Sequence, residues 1–195
     1  MIQKINEAIH NHTFGTIKST DIYVVDFKNT NGGDVEVLET IPKINYVHLS
    51  NNNNIEIYYD AFKDNALVLD LSNGLYSKQC ECVLFPSSCH ITDWILFIET
   101  KYASDLKAAF NEKADYPNTM INQIISTVNY FRDKGILTTD RRVNAILSFP
   151  KLLEDFSESF FTRSEKTVEE ILEKHKILLR ATNEGSILSP KRIRI

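Results

Sequence analysis

Apolar positions fall along this chain in two rhythms. Between residues 22 and 101 they come in short runs: IYVVDFK (22–28), IEIYY (55–59), ALVLDL (66–71), CECVLF (80–85) and WILFIETK (94–101). These runs are rich in β-branched and aromatic residues, and each is predicted as a β-strand. The connections are of hairpin length, as at Lys63-Asp64-Asn65, so the strands are expected to pair mainly antiparallel. NTNGGD (29–34) and SNNNN (50–54) read as turns, because Asn and Gly tolerate positive φ.

Beyond residue 101 the period changes. Met120, Ile121, Ile124, Ile125, Val128 and Phe131 recur at helical spacing, which predicts an amphipathic helix over 118–134 with Gly135 as its stop. Residues 142–149 (RVNAILSF) return to strand chemistry, and Pro150 ends them. Val168, Ile171, Leu172, His175, Leu178 and Leu179 predict a second helix. Thr167 or Ser164 can cap it, and Glu169 and Glu170 suit the dipole of its first turn. A short helix over 2–10 would turn Ile5 and Ile9 inward, and the tail, 187–195, is short and basic. The order helix, strands, helix, strand, helix predicts a single α/β (α+β) domain over 1–195. At its centre is one mixed sheet with an antiparallel meander, flanked by helices.

Composition narrows the function classes. The chain has 195 residues, 43% hydrophobic and 25% charged, which suits one globular domain with a sizeable core. A net charge of −4 argues against holding nucleic acid by bulk electrostatics, so any such contact needs a local basic patch. Arg141-Arg142 and the tail residues Lys191, Arg192 and Arg194 are the better candidates for one. The six glycines form neither a P-loop nor a dinucleotide fingerprint. Cys80, Cys82 and Cys89 are three cysteines within ten residues, which is no disulfide framework. No signal peptide or apolar span is evident, so no membrane contact and a reducing cytoplasm are the expectation.

The chemistry concentrates in WILFIETK. Five apolar residues in a row suggest a strand covered on both faces, and it ends in Glu99 and Lys101. Residues two apart on a strand share a face, so these two groups should stand side by side. They can be solvated, form a structural ion pair, or serve as a metal-binding carboxylate and a catalytic ammonium. Glu81, on the preceding strand, raises the third reading: 17 residues lie between it and Glu99, enough for an antiparallel return. Two carboxylates at one end of adjacent strands can hold Mg²⁺ or Mn²⁺, and close like charges resist joint ionisation without a cation between them. Asp93 is the alternative acid, but it falls at the far end of the Glu99 strand.

"KQCECVLF" followed by "WILFIETK" resembles the PD-(D/E)xK nuclease superfamily, the restriction-endonuclease-like fold. That resemblance spans 55–149 in element order. It implies a helix, a three-stranded antiparallel meander, a second helix and a further strand, with an acid on the second core strand and ExK on the third. Glu99-Thr100-Lys101 corresponds to the ExK element. Glu81 corresponds to the first acid, where the family more often carries aspartate. In some branches a glutamine on the following helix approaches the metal and an extra acid comes from the first helix. Gln123 and Glu7 are the matching positions here.

Other chemistries are less well supported. Cys80, Cys82, Cys89 and His90 are poorly spaced for zinc, three cysteines fall short of an iron–sulfur set, and no G-x-S-x-G elbow is present. His175 falls on the apolar face of its expected helix and reads as a packed residue. The expected function is a metal-dependent nuclease with DNA as the favoured substrate, aided by a homodimer or a partner protein. The alternatives are a non-catalytic interaction protein on the same fold, in a defence or mobile-element system, and an unrelated α+β domain. Widely separated Glu81 and Glu99 carboxylates would select the last.

Overall fold

The computed structural model describes residues 1–28 and 32–195; the turn expected over 29–34 lies partly outside the described residues. Helix α1 (Ile2–Ala8) buries Ile5, with Ile9 just beyond it also buried. Strands β1 (His12–Ile17), β2 (Asp21–Asp26), β3 (Val35–Leu38) and β4 (Val47–Ser50) follow. Next are β5 (Ile57–Phe62), the small hairpin β6 (Val68–Asp70) and β7 (Leu75–Tyr76), then β8 (Cys82–Pro86) and β9 (Leu96–Thr100). The short α2 (Leu106–Ala109) leads to the long α3 (Tyr116–Asp133) and to β10 (Val143–Ser148). The chain closes with α4 (Ser157–Phe161), α5 (Val168–His175), β11 (Ile177–Ala181), β12 (Glu184–Ser189) and β13 (Arg192–Arg194).

The result is an α+β fold on a six-stranded mixed sheet in the order β1-β5-β8-β9-β10-β11. Strands β5, β8 and β9 form the expected antiparallel meander, and β10 joins β9 in parallel, after α3, with β11 parallel beyond it. Strand alternation divides the core. Val83, Phe85 and Phe97 face α1 and α3, packing with Ile5, Met120, Ile124 and Phe131. The Phe97 and Phe131 rings meet edge to face at 5.3 Å. Leu84, Leu96 and Ile98 face the other way, against Ile22, Val24, Val47 and Leu49. This is why the central strands read as continuous apolar runs.

The second face is where expectation and structure differ. In addition to the central sheet, a five-stranded sheet in the order β13-β12-β4-β2-β3 covers that face. The segment 22–28, expected in the one central sheet, belongs to this second sheet, and residues 66–71 contribute only to the separate β6–β7 hairpin. The helix expected to include Leu178 and Leu179 stops at His175. Its capping box (Thr167, Glu170) sets the start, and Lys176 at φ +53° ends it. Leu178 and Leu179 lie on β11, where residues 177, 179 and 181 are the buried ones. At the end of α3, Gly135 at φ +65° makes the stop that the sequence expected. Among the described residues no helix is long and apolar enough to cross a membrane.

Candidate active site

Glu81 directly precedes β8. Its amide donates to the Ile98 carbonyl at 2.9 Å, and its own carbonyl accepts from the Phe62 amide at 2.9 Å. The residue is therefore fixed between β5 and β9, beside the end of β9 that carries Glu99. Glu99 pairs in register with Leu147 of β10, and the Lys101 amide donates to Ser148 O at 2.9 Å. With the backbone held to β10 through Lys101, the two side chains lie together as strand spacing requires: Lys101 Nζ donates to Glu99 Oε1. Glu81, Glu99 and Lys101 thus share one end of the central sheet.

Helix α3 supports this end from one side. Thr127 Oγ1 accepts the Cys80 amide at 2.9 Å and donates to Gln123 O at 2.9 Å. Gln123 Nε2 donates to Gln79 O at 2.7 Å. Its Oε1 is buried and without a partner among the described residues, as is Oε2 of Glu99. Gln123 and Glu81 line the same cleft of about 480 Å³, together with Lys28, Asn65, Lys78 and Thr119.

The second sheet supplies residues that sequence reasoning missed. At the end of β2, Asp26 is buried, and its amide donates to Tyr102 Oη at 3.2 Å. The Tyr102 hydroxyl donates in turn to Asn45 O at 2.9 Å, tying the two sheets together beside the ExK segment. Lys28 Nζ lies 3.3 Å from Glu81 Oε2. Asp26-Phe27-Lys28 repeats the acid-x-lysine spacing at the end of an apolar strand, which is the signal that singled out Glu99 and Lys101.

Electrostatics bind these groups into one unit. Burial, then the neighbouring Glu81 charge, pushes the Glu99 carboxyl up to about 8, against the opposing pull of Lys101. Burial also raises Glu81, with Lys28 opposing it and Asp26 adding to it. For Lys101 burial works downward, but Glu99, Glu81 and Asp26 together outweigh it and hold the ammonium above its ordinary value. Burial and mutual repulsion thus favour the neutral acids at Glu81 and Glu99 unless a nearby cation offsets their charge. Among the described residues no three His, Cys, Asp or Glu side chains cluster as a metal-binding set.

Other expected residues lie elsewhere. Glu7 is exposed, because Ile5 and Ile9 take the inward face of its segment. It accepts from Gln3 Nε2 at 2.8 Å and lines a separate cleft with Lys4, His10 and Lys134. Arg141 donates to the Asp93 carbonyl and precedes β10, at the end remote from Glu99. The start of the tail reaches that remote end, where Trp94 Nε1 donates to Ser189 O at 2.9 Å, and the chain then turns back so that Arg194 lies opposite Ser186 of β12. Basic groups on the site side include Lys28, Lys78, Lys101 and Lys151, the last with its ammonium 6.0 Å from the Tyr102 ring centroid. Cys80 and Cys82 are buried, and burial pushes both thiols well up. The Asp93 carboxylate caps its own loop, accepting from Ser88 and His90.

Compared with protein-family models, curated proteins and solved structures, the chain finds no match.

Proposed function

We propose that this chain is a divalent-metal-dependent nuclease of the PD-(D/E)xK type, hydrolysing phosphodiester bonds with DNA as its favoured substrate. The observation that carries this reading is the convergence of Glu81, Glu99 and Lys101 at one end of paired strands, with Glu99 Oε2 buried and unsatisfied. The order α1, β5, β8, β9, α3, β10 supports it, being the order that the resemblance implies.

Glu81 and Glu99 would hold Mg²⁺ or Mn²⁺, with Oε1 of Gln123, a residue that lines the cleft with Glu81, as a further oxygen. When bound, the ion supplies Lewis-acid neutralisation of the phosphate and a more acidic water. The chain's own contribution is charge and placement. Lys101, held against Glu99, offsets the negative charge that grows on the phosphoryl oxygens as water attacks phosphorus and the P–O bond to the leaving oxygen breaks. Lys28 and Lys78, on the rim of the cleft, are placed for the flanking phosphates. With a net charge of −4 overall, this local set is small, which favours delivery of substrate by a second copy or a partner protein.

One observation favours a second reading. Lys28 and Lys101 each pair with one of the two carboxylates, so the cluster is partly neutralised by the chain alone. A non-catalytic interaction protein on the same fold has use for no more than that. Calorimetric titration with Mn²⁺ and a cleavage assay on plasmid, single-stranded DNA and RNA separate the two. The nuclease reading expects ion uptake and cleavage that Glu99→Gln removes. Folded protein with neither property belongs to the second reading.

A further inference from the structure

Lys28 bridges two carboxylates of opposite character. Its Nζ lies 3.3 Å from Glu81 Oε2 and 3.1 Å from Asp64 Oδ1. The Glu81 side chain is only 8% exposed, whereas that of Asp64 is 85% exposed. The Lys28 backbone is fixed, because its amide donates to Asp26 Oδ1 at 2.9 Å. Its four-carbon stem is the mobile part, with the ammonium at the boundary between the buried cluster and the open cleft that Lys28, Asp64 and Glu81 all line.

A buried carboxylate needs a counter-charge, and an ammonium and a divalent ion repel each other when both approach the same oxygens. We propose that Lys28 is a displaceable counter-ion for Glu81: it neutralises this carboxylate in the metal-free protein, competes with the divalent cation for it, and moves wholly onto Asp64 when the cation binds. The inference rests on the nuclease reading and deepens it, since it makes cation affinity a property of the second sheet as well as of the ExK strand. Asp64 is what makes the displacement inexpensive, because the ammonium already touches its alternative partner. After the move the charge stands on the solvent side of the cleft, where an incoming phosphodiester arrives.

Calorimetric titration of the metal-stripped full chain with Mn²⁺ alone tests this at neutral pH. Lys28→Met keeps the apolar stem and removes the competing charge, and it should tighten Mn²⁺ binding by about tenfold, the scale of one unit charge at a partly solvated site. Lys28→Arg keeps the competitor and should bind within about twofold of the parent. Asp64→Asn lies at the surface, leaves the core untouched and removes the alternative partner, so it should weaken binding several-fold. It decides the matter if the methionine variant fails to fold. If the parent binds Mn²⁺ and neither Lys28→Met nor Asp64→Asn changes the affinity, the counter-ion role is overturned and the metal site stands. If folded parent and Lys28→Met both take up no Mn²⁺, the site itself is overturned and the counter-ion role with it.

Discussion

The hydroxyl of Thr127, in the middle of α3, accepts the backbone amide of Cys80 at 2.9 Å. The two residues are 47 apart in sequence, and the bond is fully buried. It holds the segment entering β8 against the helix one residue before Glu81, so the placement of a candidate metal ligand depends on a helix hydroxyl.

Replacing Thr127 by Val keeps the shape and leaves a buried N–H unpaired. The expected cost is about 1–3 kcal/mol of unfolding free energy, read from urea denaturation. Thr127→Ser should recover most of it. Mn²⁺ affinity should fall with the Val variant and not with the Ser variant, since only the former releases the backbone next to Glu81.

Lys101→Ala should leave the fold intact and lower cleavage by at least about a hundredfold, the usual scale for one charge-stabilising group at a reacting centre. Single-turnover cleavage, with circular dichroism as the folding control, measures it. Undiminished cleavage would remove Lys101 from the mechanism.

The Glu99 carboxyl, raised to about 8 by burial and by Glu81, ties the metal-free protein's stability to pH. Its folded pKa lies above the value near 4.3 expected in the unfolded chain. The stabilisation it gives is therefore complete below that unfolded value and is lost as pH rises through about 8. Between those limits the unfolding free energy should fall with a slope of up to about 1.4 kcal/mol per pH unit from this group. Urea denaturation in chelator at pH 5.5, 7.0 and 8.5 should show that slope, and Glu99→Gln should flatten it. Added Mn²⁺ should oppose the loss at the alkaline end, because the ion favours the ionised form.

Basic residues at the two ends of the sheet should behave differently toward nucleic acid. Lys78 lines the cleft that Glu81 and Gln123 share. Lys78→Ala should weaken DNA binding about two- to fivefold and reduce its salt dependence by about one phosphate contact. Arg141 instead donates to the Asp93 carbonyl at the remote end. Arg141→Ala should leave DNA affinity unchanged while lowering thermal stability. Fluorescence anisotropy at two salt concentrations distinguishes them, and equal effects would show that the cleft is not the binding face.

The pattern of the chain located much of this arrangement without coordinates. WILFIETK reads as a strand buried on both faces, and it is one: Phe97 packs on α3 while Leu96 and Ile98 pack on the second sheet. The helical period from Met120 to Phe131 and the stop at Gly135 describe α3 almost to its ends. The spacing of Glu99 and Lys101 was enough to place them together, because two residues along a strand is a local constraint. Leu178 and Leu179 misled for the complementary reason. Their spacing satisfies a helix and a strand alike, and the left-handed turn at Lys176 together with pairing to β10 settled the matter.

By itself, then, the sequence determined the elements whose signals are short-range: the meander strands, α3, the acid and the ammonium at the end of β9. Tertiary structure alone decided which distant groups meet them. Nothing local in DFK at 26–28 says that Asp26 and Lys28 come to Glu81, since that depends on a second sheet packing across the first. Nothing local in the basic tail says that Ser189 meets Trp94 or that Arg194 returns to lie opposite Ser186 of β12. Long-range juxtaposition follows from which buried faces match, and a one-dimensional pattern records that a face is apolar without recording what covers it.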